Sequence, residues 1–397
     1  MKILQIFNKY LFEGGEEKSV GRIFSHLGKV HEVRQISFES KSWAEEKGGI
    51  TKFKQALLMV YNPGSLKKVK NVMKEFQPEI ILIHNLFPVG SAALLDFLTR
   101  QKLPVVYYVH NFRPYSVNGY LWANGKIRPS GLKKNFLPEI IHGSWQDSRV
   151  KTLWYALIIM GLHLLGSWRR ISQWIAISDF MKETFVTAGV PENRISVVRH
   201  SWKIRQSRLE REQFNDSMPF VYLGRLSEQK GIRVLLKAWE MVIVEHPAAR
   251  LVICGEGPLE KEVRETSKRL SSIEFHGFVS GEEKRKLLLS CRCLLAPSIW
   301  FEPLGLVVFD GYEYSLPVIA SAAGGLREIV QCGQTGLLVE RGKIEDLAEG
   351  ICRMINLPDG GVEMGRNGRI WLERHTTEVI WNELVSNVFV RLEQSAE

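Results

Sequence analysis

Short apolar runs alternate with amphipathic segments along this chain, and that alternation limits the possible folds more than any other sequence feature. In the first half the apolar runs have the length of buried strands, and the segments between them have the periodicity of helices. Parallel strands need crossover connections of this kind, so the pattern predicts a parallel α/β sheet. The predicted strands of this half are residues 3–7, 31–37, 80–84, 105–110, 174–177 and 195–199. Ser65 and Ser178 are the expected N-caps of two of the intervening helices.

A polar, charged stretch at 200–218 interrupts the pattern, and the alternation then resumes. The predicted strands of the second half are residues 220–224, 250–254, 273–276, 293–296 and 317–320. Ser280 and Glu283 are expected to form a capping box. We therefore expect two doubly wound α/β domains. The expected boundaries are an N-terminal domain at 1–200, a linker at 201–218, a C-terminal domain at 219–375, and a C-terminal helix at 376–397 that packs back on the N-terminal domain.

The charge is distributed unevenly between the two halves. The formal net charge is +10, but residues 1–205 contain 30 Lys or Arg against 15 Asp or Glu, whereas residues 206–397 contain 23 against 28. A basic front half predicts an anionic partner such as a lipid surface, nucleic acid or a phosphorylated substrate. The sequence contains no recognisable nucleic-acid-binding module, so we expect no nucleic-acid partner.

Residues 152–168 contain no Asp, Glu, Lys or Arg and are flanked by basic residues. A helix of this length spans roughly 25 Å, which is short of the ~30 Å hydrocarbon core of a bilayer. Two interpretations remain open. The segment is either a core helix or an interfacial helix that rests on an anionic membrane.

The five cysteines all lie in the second half, without a metal-binding spacing. We expect reduced thiols in a cytoplasmic protein, with peripheral contact at the inner face of the cell membrane. No predicted strand is followed by GxGxxG or by a GxxxxGK[ST] phosphate loop, and HExxH is also missing. These absences disfavour dehydrogenase, NTPase and metalloprotease functions.

Loops after predicted strands of the second half carry the candidate binding residues. The loop at 224–231 places Arg225 and Lys230 before a helix, where a guanidinium, an ammonium group and a helix N-terminus suit phosphate oxygens. Glu302 precedes another helix and Asp310 lies about two turns later, so both carboxylates could accept hydrogen bonds from sugar hydroxyls. A further loop contains Gly255, Glu256 and Gly257. Each loop alone is equally typical of a solvated turn.

Together these loops resemble those of glycosyltransferase family 4, whose members are retaining sugar-nucleotide enzymes of the GT-B fold. The strongest segment is 296–339, and the glycine loop at Gly14 and Gly15 and the strand-end motifs at His84 and His110 extend the resemblance to the front half. The resemblance implies two Rossmann-like domains that face each other across a cleft.

The resemblance also implies roles for individual residues. Arg225 and Lys230 would hold the donor diphosphate, Glu302 would contact the donor sugar, Asp310 the ribose, and His110 the reacting sugar. The implied catalytic residues are thus His110, Glu302, Arg225 and Lys230. The other implied donor-binding positions are Gly14, Gly15, Gly224, Gly255, Glu256, Gly257, Phe278, Leu304, Gly305 and Leu306.

The sequence departs from the family at Asp310, where the family signature has glutamate. The shorter side chain puts nucleotide affinity in doubt. The expected function is retaining transfer from a nucleoside-diphosphate sugar to a glycan or lipid-linked acceptor, by front-face substitution and without a metal or other cofactor. Two alternatives stay open, a weakly catalytic sugar-nucleotide-binding subunit of a glycan-assembly complex and a GT-B sugar-nucleotide epimerase.

Overall fold

The structure, a computed structural model, describes residues 1–10, 14–45, 49–204 and 217–394. The chain forms two compact units. One consists of residues 1–201 together with 378–397, and the other of residues 202–377. Most of the expected linker, residues 205–216, lies outside the described residues. Trp202 belongs to the second unit, since its amide donates to the carbonyl of Thr376 and its indole donates to Glu313 Oε2.

The first unit is built on a six-stranded, wholly parallel sheet of order β2-β1-β3-β4-β7-β8. Its four central strands are almost entirely buried because helices cover both faces, whereas the two edge strands are partly exposed. The strands of this unit are β1 (Lys2–Lys9), β2 (Glu32–Glu39), β3 (Ile80–Ile83), β4 (Val105–Val109), β7 (Gln173–Ala176) and β8 (Ile195–Val197), with a small hairpin of β5 (Trp122–Ala123) and β6 (Lys126–Ile127).

Five helices of this unit follow a polar or glycine N-cap residue. Ser178 caps its helix as predicted, through a hydrogen bond from the Met181 amide. Ser65 does not, because the helix already begins at Pro63 and Asn62 accepts the capping hydrogen bonds. The helices are α1 (Gly15–Leu27), α2 (Ser40–Glu45), α3 (Gly49–Val60), α4 (Pro63–Phe76), α5 (Ala92–Thr99), α6 (Leu137–Ile141), α7 (Arg149–Leu164) and α8 (Asp179–Thr187).

The second unit repeats the architecture with a parallel sheet of order β11-β10-β9-β12-β13-β14. Its strands are β9 (Phe220–Leu223), β10 (Leu251–Cys254), β11 (Ile273–Gly277), β12 (Cys293–Ala296), β13 (Val318–Ser321) and β14 (Gly336–Val339). Its helices are α9 (Ile232–Glu245), α10 (Glu260–Arg269), α11 (Gly281–Ser290), α12 (Leu306–Glu313), α13 (Leu326–Ile329), α14 (Ile344–Ile355) and α15 (Val362–His375). Helix α11 begins directly after Ser280, but the Ser280 side chain makes no capping hydrogen bond, so the predicted capping box is wrong.

The last helix, α16 (Glu378–Gln394), returns to the first unit. Its first residue, Glu378, accepts from Lys29 Nζ at 2.5 Å and lies 3.2 Å from His26 Nδ1. Trp381 is buried and its indole donates to the hydroxyl of Tyr108 at 3.2 Å. The helix therefore contributes both surface ion pairs and core packing to a sheet whose strands lie more than 170 residues away in sequence.

The apolar segment predicted at 152–168 forms most of α7. One face of this helix is buried, whereas the other carries an exposed row of side chains at spacings of three and four residues. We call this row the α7 strip; it consists of Val150, Leu153, Leu157, Met160 and Leu164. The helix is thus neither wholly in the core nor wholly at the surface. Among the described residues, no helix combines the length and the apolarity needed to cross a bilayer.

Candidate functional site

The candidate residues of the second unit follow its strands at one edge of the sheet. Because all strands are parallel, their carboxyl ends share this edge, which is where open α/β sheets bind ligands. Gly224 and Arg225 follow β9, the glycine pair at 255 and 257 follows β10, and Phe278 follows β11. Glu302 lies in the loop between β12 and α12.

Three side chains hold Glu302 in place. The Lys230 ammonium lies 2.7 Å from Glu302 Oε2, and Ser298 Oγ and Trp300 Nε1 each donate to the same oxygen at 2.9 Å. Glu302 is buried, whereas Lys230 keeps part of its side chain exposed. The Lys230 ammonium also lies 5.2 Å from the centroid of the Trp300 ring, within cation–π range.

All of these donors converge on Oε2, and no described residue donates a hydrogen bond to the other carboxylate oxygen, Oε1. The three donors fix the carboxylate plane without using its full acceptor capacity. Glu302 is thereby oriented to accept a hydrogen bond from a further donor, and sugar hydroxyls are donors of this kind.

Arg225 contrasts with Lys230 because its side chain is exposed and takes part in no ion pair within the described ranges. Its backbone is fixed instead. The Tyr222 hydroxyl donates to the Arg225 carbonyl at 2.9 Å. Burial, with a further contribution from the Glu302 charge, raises the pKa of the Tyr222 phenol well above its ordinary value, so the phenol remains a neutral donor. The Arg225 guanidinium is left available to an anionic ligand.

Two glycines of this edge are required by close backbone contacts. Gly255 has φ +142°, and a Cβ at this position would fall 1.8 Å from the carbonyl oxygen of Gly224. Gly324 has φ +55°, and its Cβ would fall 2.2 Å from the carbonyl oxygen of Glu302. These contacts pack the 255 loop against the Arg225 loop and the 324 loop against the backbone of Glu302.

Asp310 pairs with a different lysine from the one that contacts Glu302. It is in α12, and its Oδ1 accepts from Lys284 Nζ of α11 at 2.5 Å. Both side chains are mostly shielded from solvent. The shorter carboxylate at this signature position is therefore paired with a lysine to which no sequence motif points.

The other predicted donor-binding residues of this unit surround α12 and the loop after β10. Gly305 is the N-cap of α12, Leu306 is its first residue, and Leu304 is buried in front of it. Phe278 exposes 62% of its surface directly after β11, and Glu256 is also exposed. Sequence reasoning gave no individual role to Ser298 or Trp300, although both lie in the 296–339 segment with Glu302, and none to Lys284, which meets Asp310 only in three dimensions.

The predicted residues of the first unit also lie at the carboxyl edge of its sheet. Helix α1 begins at Gly15 after an extended, exposed Gly14, and no side chain caps its N-terminus. His110 follows β4 and is buried. His84 Nδ1 lies 2.9 Å from His110 Nε2, and His200 Nε2 lies 3.2 Å from His110 Nδ1, so both ring nitrogens of His110 are engaged.

A carboxyl group to which sequence reasoning gave no role contacts Asn111, the residue that follows His110. Glu16, in the first turn of α1, accepts hydrogen bonds from the Tyr10 hydroxyl at 3.1 Å and from Asn111 Nδ2 at 3.2 Å. Burial raises the pKa of the Glu16 carboxyl to about 7, although the hydrogen bonds and the charge of Arg113 oppose the rise. Glu16 thus titrates near neutral pH.

Comparison with known proteins decides the family. A model described as "Glycosyltransferase Family 4" matches residues 14–201, and one described as "Glycosyl transferases group 1" matches residues 203–371. The chain belongs to glycosyltransferase family 4.

Individual relatives agree with this family membership. The chain is 28% identical over 200 residues to an uncharacterized glycosyltransferase of Methanocaldococcus jannaschii, covering 46% of this chain and 51% of the relative. It is 25% identical over 237 residues to the capsular polysaccharide biosynthesis glycosyltransferase CapM of Staphylococcus aureus, covering 55% and 62%. The matched region thus spans about half the length of the first of these family-4 relatives.

The predicted GT-B fold is confirmed by solved structures. Anabaena HepE, crystallised in complex with UDP and glucose, aligns with a TM-score of 0.65 over 98% of this chain and all of that chain, at 18% identity. At this identity the likeness to HepE establishes the GT-B fold and leaves the substrates of this chain open.

Proposed function

We propose that this protein transfers a sugar from a nucleoside-diphosphate sugar to a glycan or lipid-linked acceptor, with retention of anomeric configuration. The observation that carries the proposal is the Lys230–Glu302 pair, held by Ser298 and Trp300 at the strand-end edge, with an exposed Arg225 on a neighbouring loop. Family membership supports it, and so does the relative crystallised with UDP and glucose.

The two cations contact the diphosphate in different ways. Arg225 offers a planar fork to phosphate oxygens, and Lys230 offers a point charge. Negative charge grows on the leaving diphosphate as the glycosidic bond breaks, so cations already positioned there stabilise the transition state more than the ground state. These two side chains and the N-termini of neighbouring helices supply positive charge, and we expect no metal requirement.

Glu302 orients the sugar in this proposal. Its Oε2 is occupied by Lys230, Ser298 and Trp300, so Oε1 receives the sugar hydroxyl. Glu302 is a positioning group for the donor rather than a nucleophile, in keeping with front-face substitution, where the leaving phosphate oxygen accepts the proton of the acceptor.

A ligand panel tests this function. Wild-type protein is heated with uridine and guanosine diphosphates and their sugars, and a ligand at 100 times its Kd should raise the free energy of unfolding by about 2.7 kcal/mol. Donor hydrolysis without acceptor is then measured for the stabilising sugar nucleotide. Stabilisation with turnover supports an enzyme, stabilisation without turnover supports the binding-subunit alternative, and no stabilisation contradicts the donor assignment.

We place the acceptor at an anionic membrane, on which the first unit docks. In the α7 strip, 78% of the surface of Val150 and 81% of that of Leu164 are exposed. Arg149 and Lys151 are exposed beside its N-terminal end, and Arg169 lies beyond its C-terminal end. Exposed apolar side chains on a helix bordered by basic residues suit a bilayer interface with acidic headgroups.

Helix α3 enlarges this surface. Trp154, on α7, donates its indole N–H to the Ala56 carbonyl of α3 at 2.9 Å, which ties the two helices together. Phe53 and Leu57 of α3 are exposed at 68% and 49%. The apolar area beside the α7 strip thus extends over a second helix.

Co-flotation with vesicles tests the membrane contact. Wild-type protein should float with phosphatidylglycerol vesicles, less at high salt, because charge attraction is screened over ~8 Å at physiological ionic strength. Leu157→Glu should reduce flotation, whereas Val244→Glu, at an equally apolar exposed position of the second unit, should not. Wild-type protein that remains unbound would contradict the membrane contact and leave a soluble acceptor.

A further inference from the structure

Three buried histidines of the first unit form one continuous chain of hydrogen bonds. His84 follows β3, His110 follows β4, and His200 follows β8. His84 Nδ1 lies 2.9 Å from His110 Nε2, and His110 Nδ1 lies 3.2 Å from His200 Nε2. All three side chains are more than nine-tenths buried. Burial lowers the pKa of each imidazole, that of His110 to about 3, so the chain is neutral at physiological pH.

The direction of donation along this chain is set at its inner end. Gln5 Nε2 lies 2.7 Å from His84 Nε2 and also donates to the carbonyl of Val20. Gln5 Oε1 accepts from Gln35. Since a carbonyl can only accept, the Gln5 nitrogen is the donor, and His84 Nε2 must accept from it.

The tautomers of the remaining rings follow from this assignment. A neutral imidazole has one N–H and one acceptor nitrogen. His84 therefore donates through Nδ1 to His110, and His110 donates through Nδ1 to His200 Nε2. The last N–H of the chain lies on Nδ1 of His200. That nitrogen is buried, and no described residue accepts from it.

A buried donor without an acceptor is costly, so this N–H calls for an oxygen from outside the described protein groups. A positive charge nearby indicates the kind of group that carries this oxygen. Arg22 of α1, which donates to Ser19 Oγ, lies close enough for its charge to lower the pKa of His200. A cation beside a directed N–H favours an anionic oxygen over a neutral hydroxyl.

We propose that the Nδ1–H of His200 donates a hydrogen bond to a phosphate oxygen of a bound substrate. The proposal rests on the proposed function, which supplies two sources of this phosphate. They are the diphosphate of the sugar donor and the phosphate of a lipid-linked acceptor. His84 and His110 are positioning residues in this arrangement, because they fix the tautomer of His200.

Two substitutions of His200 test its Nδ1–H separately from its Nε2 contact with His110. In His200→Gln the amide can reach the place of Nε2 and keep the contact with His110, while the Nδ1–H is lost. In His200→Asn the amide nitrogen can take the place of Nδ1–H, while the contact with His110 is lost. Both variants are titrated calorimetrically with inorganic pyrophosphate, uridine and guanosine diphosphates, and farnesyl diphosphate.

We expect His200→Gln to weaken binding of at least one probe by about tenfold or more and His200→Asn to weaken it much less. A loss confined to the nucleotides identifies the sugar donor as the source, and one confined to farnesyl diphosphate identifies the acceptor. The proposal is overturned if His200→Gln binds every probe as wild type does, if His200→Asn loses as much affinity as His200→Gln, or if wild type binds none of them.

Nitrogen-15 NMR of the histidine rings gives a readout that does not depend on the variants. The Nδ1–H tautomer is expected for all three rings, and the His200 Nδ1 resonance should shift when the binding probe is added. An Nε2–H tautomer at His200 would overturn the proposal. If His200 responds to pyrophosphate or farnesyl diphosphate while no sugar nucleotide supports transfer, the proposed function fails and this inference stands.

Discussion

The two units have similar sheets but very different chemistry at their carboxyl edges. In the second unit the edge holds charged side chains, with Lys230 paired to Glu302, Lys284 paired to Asp310, and Arg225 exposed. In the first unit the described part of the corresponding edge holds buried neutral imidazoles and the Glu16 carboxyl group, whose pKa is raised, with the cations Arg22 and Arg113 nearby.

This difference separates two tasks that a glycosyl transfer requires. A charged edge suits the diphosphate, whose negative charge increases during the reaction, whereas directed hydrogen bonds from neutral imidazoles suit the orientation of a bound substrate group. Substitutions at the two edges test whether they differ in this way.

The largest effect is expected at Lys230. Lys230→Ala removes a charge-assisted contact worth roughly 1.5–3 kcal/mol in the ground state, so transfer should fall about ten- to a hundredfold or more. Lys237→Ala, at an exposed position of the neighbouring helix α9, is the control and should keep wild-type rates. Equal rates for both variants would remove Lys230 from the diphosphate site.

Glu302→Gln should affect turnover more than nucleotide binding. The amide oxygen can still accept from Ser298 and Trp300, but Lys230 loses its ionic partner and the sugar loses a charged acceptor. We expect kcat to fall about tenfold while affinity for the nucleoside diphosphate changes by less than about threefold. Glu349→Gln, on the exposed face of α14, is the matched control. A parallel loss of diphosphate affinity would instead assign Glu302 a structural role.

Glu16 should make the stability of the first unit depend on pH. Its pKa is about 7 in the folded protein and near 4.5 in the unfolded chain, so the folded state binds the proton more tightly. The resulting stabilisation is fully present below pH 4.5 and is lost as the pH rises through 7. Glu16→Gln should therefore lose less stability than wild type between pH 4.5 and 8 in chemical denaturation. Glu183→Gln, exposed on α8, should follow wild type, and identical profiles for all three proteins would refute the raised pKa.

The smallest effect is expected at Asp310. Asp310→Glu restores the family residue, and the longer side chain can retain its pairing with the flexible ammonium group of Lys284. Nucleotide affinity should stay equal or rise by up to about threefold, as measured by calorimetry. A collapse of binding would show that α12 is built around the shorter carboxylate.

The sequence was most informative about the order of strands and loops. The sequence predicts every strand of both central sheets except β14, with small shifts at their ends. The central strands are the clearest, because burial on both faces leaves a continuous apolar signal. The N-caps of helices were predicted less accurately than the strands. Asn62 displaces Ser65 because Pro63 can begin a helix, and Ser280 precedes α11 without capping it.

The contacts within the sites could not be predicted in the same way. The pairing of Lys284 with Asp310 joins two helices, and the histidine chain joins residues up to 116 positions apart through a sheet order that periodicity does not specify. The roles of the family residues in catalysis, including that of His110, remain predictions.

Calorimetric titration shows whether the charged edge of the second unit binds the donor diphosphate. Uridine and guanosine diphosphates are titrated into wild-type protein and into the double variant Arg225→Ala with Lys230→Ala. We expect saturable binding of at least one nucleotide to wild type and a loss of about a hundredfold or more in the variant. Undiminished affinity in a folded double variant, or no binding to wild type, would contradict it.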